Sequence, residues 1–368
     1  MIDVKPDLGF IKEVINSGGE SLKKCYQCAT CSVVCNLAPD DSPFPRKEMI
    51  RAQWGMKDKL VSDPDIWLCH QCSDCTAYCP RGAKPGEIIG AIRKSAIAHY
   101  AFPGFLGKAV GQIKYLPLLI VGPVILFLAV LSLPGNMNLV EGEIVFSNLV
   151  QVKYIDAIFM PTAAFAALAF LIGISRFWRD MIANSKQPNP PTSLFASLIS
   201  AVTEILTHRR FKKCEVNQSR STAHLLVFYS FIGLAITTAL ALFYLYILGK
   251  PSPYSLISPL KIIGNISALT LIMGIVLVMV NRLNNKDKAG PGTYFDWLFI
   301  GVVSVVAVSG ILAELTRLAG LAILAYPIYF IHLVSVFFLF FYAPYSKLAH
   351  MLYRTTAMVY SKATQREE

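Results

Sequence analysis

Charge is scarce in this sequence. Only 15% of its 368 residues are charged, while 54% are hydrophobic. Soluble globular domains carry about 25% charged residues, so the composition excludes an ordinary soluble protein. The shortage is uneven, because charges and turn residues run through residues 1–100 and long uncharged blocks dominate from Tyr115 onward. These features predict one small soluble domain followed by one membrane domain.

The start of the chain lacks a secretory signal. Residues 1–6 show no charged-then-apolar export pattern, yet eight of the nine cysteines lie within residues 25–79. In an exported protein this density would indicate disulfides, but here the cysteine spacing is regular and no signal precedes it. We expect reduced cysteines in a cytoplasmic compartment, available as thiolate ligands.

Six mostly uncharged stretches have the length needed to cross about 30 Å of hydrocarbon. They predict an α-helical integral membrane protein with about six transmembrane helices, joined to an N-terminal α-helical ferredoxin-like domain. The predicted spans are approximately Tyr115–Leu133, Ala157–Ser175, His224–Leu248, Ile262–Val280, Trp297–Ala313 and Pro327–Ala343.

Basic residues are rare in half of the connecting segments. The segments on one side of the predicted membrane hold fifteen Lys and Arg residues, and those on the other side hold four. Because basic loops stay in the cytoplasm, this bias predicts a cytoplasmic (inner) membrane protein with both termini and the cysteine-rich domain on the cytoplasmic side. It also accounts for the formal net charge of +11, so no nucleic-acid binding is expected.

The chain divides into three predicted parts. Residues 1–98 form the ferredoxin-like domain, residues 99–114 a connector helix, and residues 115–368 the membrane domain. The membrane domain includes a cytoplasmic loop over residues 176–223, with a rigid turn or extended linker at Pro188–Pro191. Apolar residues at helical spacing then predict an amphipathic helix on the membrane surface. They are Leu194, Phe195, Leu198, Ile199, Val202, Ile205 and Leu206.

Two cysteine motifs carry the clearest chemistry. Each has the form Cys-x2-Cys-x2-Cys-x3-Cys, and the second is followed by Pro80. Three cysteines at this spacing wrap around one corner of the chain, and the fourth ligates the other cluster when two motifs pack together. The motifs therefore predict two [4Fe–4S] clusters. The predicted ligands are Cys25, Cys28, Cys31 and Cys79 for cluster one, and Cys69, Cys72, Cys75 and Cys35 for cluster two.

Three residues near or beyond the motifs are less informative. Asn36 replaces the proline expected after the first motif and leaves the ligands intact. His70 lies inside the second motif and is interpreted as an outward-facing spacer. Cys214 stands alone far along the chain and is interpreted as a buried or interfacial thiol without chemistry. Zinc held by cysteine pairs is the alternative for both sites, although zinc rarely needs two full repeats of this spacing.

Histidines in or beside the spans are candidates for cofactor binding, because polar residues are costly in a membrane. His332 and His350 are eighteen residues apart, so at about 3.6 residues per turn both are expected on one helix face. His224 opens the third span and is expected to meet His350 at the inner surface. The pair predicts a b-type haem, and the alternative is that both histidines contact lipid headgroups.

The role of His332 stays open. It is interpreted as a ligand of a second haem, as part of a quinone site, or as a structural residue. A second bis-histidine haem needs a partner about ten residues after His224, by the same helical rise, and that position holds Leu234. His99 and His208 are interpreted as structural residues at the cytoplasmic interface. Weak candidates for handling quinol protons are Asp156, Glu314 and Arg317.

The segment from Cys25 to Arg93 resembles the ferredoxin-like C subunits of heterodisulfide reductases. The similar stretches are Cys25–Cys31, Pro45–Lys47, Met49–Arg51, Ile66–Cys69, Cys79–Gly82 and Gly90–Arg93. The membrane half resembles the cytochrome b gamma subunit of respiratory nitrate reductase, through His224, Phe228, Gly233, His332 and His350. The fusion of both modules is similar to the C subunits of the quinone-interacting membrane-bound oxidoreductases of sulfate reducers.

This resemblance implies a function. Electrons from menaquinol would pass through haem b and the two clusters to two flavin-binding, heterodisulfide-reductase-like cytoplasmic subunits, and then to adenylylsulfate reductase. The nitrate reductase family holds two haems b, and Leu234 stands where its fourth histidine belongs, so a second haem depends on another partner for His332. The alternatives are a membrane subunit linked to a heterodisulfide or sulfite reductase, and a haem-free iron–sulfur membrane anchor.

Overall fold

The computed structural model describes residues 5–39, 42–139, 142–185, 192–215, 219–285 and 292–366. Every regular element within these ranges is a helix, as the sequence predicts. Short helices make up the N-terminal part, and long apolar helices make up most of the remainder. The predicted turn at Pro188–Pro191 lies outside the described residues.

The N-terminal part consists of short helices packed around a buried core. The first helix is stabilised at its start, because the Asp7 side chain accepts a hydrogen bond from the Phe10 amide at 2.9 Å and caps the helix. Its apolar face buries Phe10 and Val14. These helices are α1 (Leu8–Asn16), α2 (Thr30–Val33), α3 (Arg46–Gln53), α4 (Lys57–Val61), α5 (Asp65–Leu68), α6 (Asp74–Ala77), α7 (Pro85–Tyr100) and α8 (Gly104–Val110).

The remaining described helices are mostly long. They are α9 (Leu116–Leu131), α10 (Phe146–Leu149), α11 (Val152–Ala183), α12 (Leu194–Thr207), α13 (Ser219–Leu242), α14 (Pro259–Asn284), α15 (Tyr294–Leu318), α16 (Ala322–Phe341) and α17 (His350–Ala363). Six segments are long and apolar enough to span a membrane, which confirms the predicted number of apolar helices. They are Ile113–Leu131, Val152–Ala183, Arg220–Ile247, Pro259–Asn284, Tyr294–Leu318 and Ala322–Phe341.

The predicted amphipathic helix is α12. Ser197 and Ala201 face the protein and are buried. Six of the seven apolar residues that predict it are exposed, while Ile205 packs against the core. An exposed apolar row of this kind gives the helix a surface suited to lipid.

A continuous core joins the N-terminal part to the membrane helices. The Trp67 ring stacks on Tyr353 of α17 with centroids 5.2 Å apart, and it meets the edge of Phe177 of α11 at 6.4 Å. All three residues belong to one buried cluster. The C-terminal helix α17 therefore packs on the cysteine-bearing part, although the sequence assigns it to the membrane domain.

The predicted single helix face shared by His332 and His350 is wrong. Helix α16 ends at Phe341, and two 3₁₀ turns separate it from α17. Pro344 lies in the first of these turns, where its missing amide and its ring oppose a continuous α-helix. The two histidines therefore lie on different helices.

The predicted connector helix over residues 99–114 is also interrupted. Helix α7 continues to Tyr100, and α8 begins at Gly104 after Pro103. Residues 113–115 then form a 3₁₀ turn that leads into α9. The link between the two parts is therefore bent, and α7 belongs to the N-terminal core through buried residues such as Ile88 and Ile92.

Candidate functional site

The eight motif cysteines line two cavities, each with about 330 Å³ of space between protein atoms. The fourth cysteine of each motif lies with the first three cysteines of the other motif, which is the grouping that the spacing predicts. Ligation itself stays a prediction. Cavity one is lined by Cys25, Cys28, Cys31 and Cys79, and cavity two by Cys35, Cys69, Cys72 and Cys75.

The two motifs share a local backbone. Gln27 and Gln71, which precede the second cysteine of each motif, have positive φ angles of 62° and 50°. Ala29 and Ser73, which follow that cysteine, have φ angles of 70° and 73°. Left-handed residues of this kind reverse the chain sharply and rarely occur in series without a structural reason. The short helices α2 and α6 follow, and they bring the third cysteines beside the first two.

The thiols in each cavity lie close enough to affect one another. Burial, followed by the neighbouring Cys25, Cys28 and Cys79, raises the pKa of Cys31 to about 12. Burial is also the main cause that raises the pKa of Cys35 to about 12. Four thiolates this close repel one another unless metal ions neutralise them, so the donor sets fit metal centres. A bound [4Fe–4S] cluster supplies reversible one-electron transfer at such a centre.

Backbone amides also point at cysteine sulfur. The Gln71 amide donates to Cys69 Sγ and the Ala83 amide donates to Cys79 Sγ, each at 3.3 Å. Hydrogen bonds to the sulfurs are among the features that set the potential of an iron–sulfur cluster. The cavities therefore provide both the ligands and the donors that an iron–sulfur centre uses.

The surroundings of the two cavities differ. Cavity one reaches the protein surface, where Cys28 is exposed and Tyr26 is 69% exposed. The Arg81 guanidinium lies over the Tyr26 ring, 4.0 Å from its centroid. Cavity two lies against the rest of the chain, and its lining includes the buried residues Cys69, His70, Asp74 and Cys75. The two cavities therefore differ in which parts of the chain contact them.

Three arginines surround the backbone of cavity two. Arg220 of α13 donates to the His70 carbonyl at 3.3 Å, and Arg354 of α17 donates to the Cys69 carbonyl at 3.4 Å. Arg93 of α7 donates to the Gln71 side-chain oxygen at 3.3 Å and also to backbone carbonyls of this segment. Two of the three arginines come from the membrane part of the chain, so they attach it directly to the second motif.

The interpretation of His70 as an outward-facing spacer is wrong. His70 is 6% exposed, and Arg354 Nη2 lies 2.7 Å from its Nε2 and 2.8 Å from its Nδ1. Burial and the neighbouring Arg354 hold the pKa of His70 well below its usual range. His70 is therefore a neutral contact between the second motif and α17, because the spacing of the motif gives no information on which way its middle residues point.

His208, His224 and His350 form a histidine group near the ends of helices α12, α13 and α17. His208 Nε2 lies 3.1 Å from His224 Nδ1, and His350 is close enough to act electrostatically on His224. The structure gives a direct contact between His208 and His224, while the pairing of His224 with His350 stays a prediction. Sequence reasoning did not assign His208 to this site, because its contact with His224 depends on how the loop after α12 folds back.

The His350 ring is oriented by the backbone. Its Nδ1 lies 2.6 Å from the Lys347 carbonyl, so Nδ1 carries the proton and Nε2 is left as the ligating atom. Burial lowers the pKa of His350 to about 3, which keeps the imidazole neutral. A neutral, oriented imidazole is the form that binds haem iron. The orientation of His350 therefore fits the predicted haem, and ligation by His224 and His350 stays a prediction.

His332 lies apart from the histidine group. Its Nδ1 lies 3.0 Å from the Ser309 hydroxyl and 3.1 Å from the Val306 carbonyl, both in α15. Its ring also packs close to Gly310. These contacts join α16 to α15 and are compatible with a structural role for His332. Both contacts use its Nδ1 atom and neither uses Nε2.

Two of the three weak proton-transfer candidates, Glu314 and Asp156, have partners of their own. Glu314 of α15 pairs with Lys261 of α14 at 2.9 Å, and its other oxygen accepts from Asn265 at 3.4 Å. Asp156 accepts a hydrogen bond from the Tyr246 hydroxyl. The Glu314 pair links two spanning helices, where ionisable residues are costly and usually paired.

Cys214 is not an isolated thiol. It is 3% exposed, and its sulfur lies beside that of Cys72 of cavity two. The side-chain ligand atoms of Cys72, Asp74 and Cys214 all lie within 4.8 Å of one another. The ninth cysteine thus reaches a predicted cluster ligand from the membrane part of the chain.

Comparison with known proteins gives different matches for the N-terminal part and for the remainder of the chain. Residues 21–83 match the family model described as "4Fe-4S dicluster domain", and residues 118–368 match the one described as "Citrate utilization protein B". No solved structure matches the chain. The second match covers more than half of the chain.

The curated relatives match the N-terminal part. The C subunit of the H(2):CoB-CoM heterodisulfide,ferredoxin reductase of Methanothermobacter marburgensis is 36% identical over 107 residues, which are 29% of this chain and 57% of the relative. A protein of Archaeoglobus profundus that is described as similar to the heterodisulfide reductase C subunit is 37% identical over 93 residues, which are 25% and 50% of the two chains. The chain spans about half the length of the curated relatives it matches.

These matches confirm the predicted resemblance of the N-terminal part to heterodisulfide reductase C subunits. The resemblance of the whole chain to the sulfate-reducer oxidoreductase, and of the membrane half to a nitrate reductase cytochrome b, stays a prediction. The chain belongs to the Citrate utilization protein B family, and its N-terminal part is an iron–sulfur domain similar to the C subunits of heterodisulfide reductases.

Proposed function

We propose that this chain is the membrane electron-transfer subunit of a respiratory complex. It passes electrons from menaquinol through haem b and two [4Fe–4S] clusters to cytoplasmic flavoprotein subunits, and on to adenylylsulfate reductase. The observation that carries the proposal is the packing around cavity two. Helix α6, which carries Cys75 of cavity two, packs against α2, which carries Cys31 of cavity one. His70 of cavity two packs against Phe211, which in turn packs against His224.

Aromatic rings connect cavity two with the histidine group. His70 lines cavity two, and its ring centroid lies 5.0 Å from that of Phe211. The Phe211 ring lies 5.1 Å from His224 and 5.3 Å from His208. Electron transfer slows steeply with distance, so a compact bridge of packed side chains supports transfer between a haem held by the histidine group and cluster two.

The residues of this chain hold and orient the carriers. His224 and His350 are the proposed ligands of haem b, and the Lys347 carbonyl fixes the His350 tautomer. Arg93, Arg220 and Arg354 place positive charge around cavity two, which stabilises added electrons there. Each [4Fe–4S] centre takes one electron at a time, so the two electrons of a quinol are separated before they reach the flavins.

The quinone end is proposed at the membrane helices. Oxidation of menaquinol releases two electrons and two protons. His332 is the candidate for quinone contact or for a second haem, since the Val306 carbonyl holds its Nδ1 and leaves its Nε2 available. Glu314 is the candidate to accept a proton, because it is an ionisable residue between two spanning helices.

The partner end is proposed at cavity one. Three large apolar residues are exposed beside its cysteines: Tyr26, Val33 and Tyr78 at 69%, 82% and 50%. Exposed aromatic residues around a redox centre suit a protein partner. Two flavin-binding, heterodisulfide-reductase-like subunits are the proposed partners.

Anaerobic addition of a menaquinol analogue to the purified complex tests the direction of flow. We expect a reduced b-type absorbance band, followed by the electron paramagnetic resonance signals of reduced clusters. The His350→Ala complex is the control, and it should show neither response at the wild-type rate. A complex that contains haem b but shows no reduced band would contradict electron entry from menaquinol.

The family description favours a second candidate. In that case a partner subunit removes two electrons and two protons from a citrate-like tricarboxylate, and the chain delivers the electrons to quinone in the reverse direction. Reduction of the clusters by a tricarboxylate in the purified complex would support this candidate. The curated relatives are also compatible with a heterodisulfide-linked complex, which co-purification with a cysteine-rich catalytic subunit would indicate.

A further inference from the structure

A segment of the membrane part lies directly across cavity two. The Lys213 carbonyl accepts a hydrogen bond from the Asn36 side chain at 3.2 Å, and the Glu215 amide donates to the Asp74 carboxylate at 3.2 Å. Between them, the buried Cys214 side chain places its sulfur within 4.8 Å of the Cys72 sulfur. Three consecutive residues therefore contact residues within or next to the second cluster site.

Asn36, which replaces the proline expected after the first motif, takes part in this contact. Asn36 directly follows Cys35, at the position where this type of motif usually has a proline. A proline has no side-chain donor, so it could not bond the Lys213 carbonyl. The same residue that breaks the motif pattern thus holds the segment that carries Cys214.

Cavity one contains a matching contact within its own motif. The Thr30 hydroxyl lies 3.4 Å from the sulfur of Cys28, the second cysteine of that motif. Cys72 is the second cysteine of the other motif, and the residue two positions after it is Asp74. A carboxylate cannot donate as a hydroxyl does, and this one accepts from the Glu215 amide instead. The donor at cavity two comes from Cys214.

We infer that Cys214 is a positioning residue for cluster two, whose thiol donates a hydrogen bond to the Cys72 thiolate and raises the reduction potential of that cluster. The inference rests on the proposed ligation of cluster two by Cys72. A thiolate bound to iron has no proton, so Cys214 must be the donor in the pair. A donor to a ligand sulfur offsets its negative charge and stabilises the reduced cluster.

Thr30 gives cluster one the same kind of donor from a neighbouring position in its own motif. Cluster two instead depends on a residue 142 positions away in the sequence, held by Asn36 and Asp74. A movement of the membrane part that displaces this segment therefore changes cluster two and leaves cluster one unchanged.

Redox titration of the whole complex, followed by electron paramagnetic resonance, tests this inference. Cys214→Val keeps most of the side-chain volume and removes the donor, while Cys214→Ser keeps a donor. At a fixed potential, we expect Cys214→Val to lower the reduced-to-oxidised ratio of cluster two about fivefold, the effect of one net hydrogen bond. Cys214→Ser should recover most of this ratio. The matched control Thr30→Val should shift cluster one alone.

The outcomes separate this inference from the proposed function. Fewer than two clusters per wild-type chain would overturn the proposed function itself. An unchanged cluster-two potential in Cys214→Val, with both clusters present, overturns only the role of Cys214. Loss of cluster two in Cys214→Ser together with its retention in Cys72→Ser would show that Cys214 is a ligand, which also overturns the inference.

A measurement on the wild-type chain covers the case in which Cys214→Val fails to assemble. Pulsed electron–nuclear double resonance in light and heavy water should detect an exchangeable proton coupled to reduced cluster two. That coupling should change in Cys214→Ser and persist in Thr30→Val. An identical proton spectrum in the wild type and in Cys214→Ser contradicts the proposed hydrogen bond.

Discussion

Cavity one and cavity two are built from the same motif, yet they occupy different environments. Cavity one reaches the surface beside the exposed Tyr26 and Cys28. Cavity two is instead contacted by Arg220 and Arg354 of the membrane part and by the segment around Cys214. The difference shows that motif spacing sets the ligands of a redox centre, whereas tertiary contacts set its neighbours.

The comparison also assigns an order to the two proposed clusters. Cavity two is bridged to the histidine group through His70 and Phe211. Cavity one has exposed apolar side chains that suit a partner protein. The proposed function therefore places cluster two on the membrane side of the route and cluster one on the partner side.

The largest expected effect concerns the fourth cysteine of the second motif, which is predicted to bind the cluster of the first motif. Cys79→Ala should abolish cluster one, because Cys79 lines cavity one. Cys75→Ala, four residues earlier in the same motif, should abolish cluster two. Iron analysis and electron paramagnetic resonance should show loss of about half the non-haem iron in each case, with different signals remaining. Loss of the same signal in both variants would show that each motif binds its own cluster.

Removal of a proposed haem ligand tests whether a haem b lies next to cavity two. His350→Ala should abolish the b-type absorbance band of the inner haem, because the oriented imidazole is lost. His99→Ala is the matched control, since the His99 ring packs edge-on against Tyr100 and belongs to neither proposed haem site. Pyridine haemochrome analysis measures both. Equal haem content in His350→Ala and the wild type refutes the ligand assignment.

A smaller effect is expected at the contact between α17 and the second motif. Arg354→Gln removes the buried guanidinium beside His70 and the Cys69 carbonyl, which should cost about 1–3 kcal/mol of stability. It should also lower the potential of cluster two, because a positive charge is lost. Arg81→Gln at cavity one is the control and should leave stability nearly unchanged. Thermal unfolding and redox titration measure these effects, and equal results for both variants would contradict the role of Arg354 at cavity two.

The smallest effect concerns the exposed side of cavity one. Tyr26→Ala should weaken binding of the flavoprotein partners about tenfold, as removal of an exposed aromatic anchor does, while both clusters are kept. Leu8→Ala is the control, because Leu8 is 66% exposed but lines neither cavity. Titration of the partners against the detergent-solubilised subunit measures the affinity. An affinity in Tyr26→Ala equal to that in Leu8→Ala would exclude cavity one as the partner side.

The sequence predictions that agree with the structure rest mostly on local patterns. The spacing of the cysteines predicts their grouping, because a few residues of chain decide where the first three sulfurs meet. Hydropathy predicts the six apolar helices, because each must be long enough to cross the bilayer. Pro344 lies at the break before His350, but a proline alone does not predict a break, because Pro123, Pro161 and Pro327 lie inside helices.

Long-range contacts account for what the sequence did not predict. The orientation of His70 depends on Arg354, which is 284 positions away. The placement of Cys214 against Cys72 depends on Asn36 and Asp74, which no spacing rule relates to it. His208 joins His224 only because the chain after α12 returns to the start of α13. Such contacts follow from tertiary packing and leave no periodic trace in one sequence.

Metal and haem analysis of the purified chain tests the central claim most directly. Two [4Fe–4S] clusters predict about eight non-haem irons and about eight acid-labile sulfides per chain. A site at His224 and His350 predicts at least one haem b in addition. Zinc in place of iron and sulfide, or iron and sulfide without any haem b, would contradict the proposed electron route.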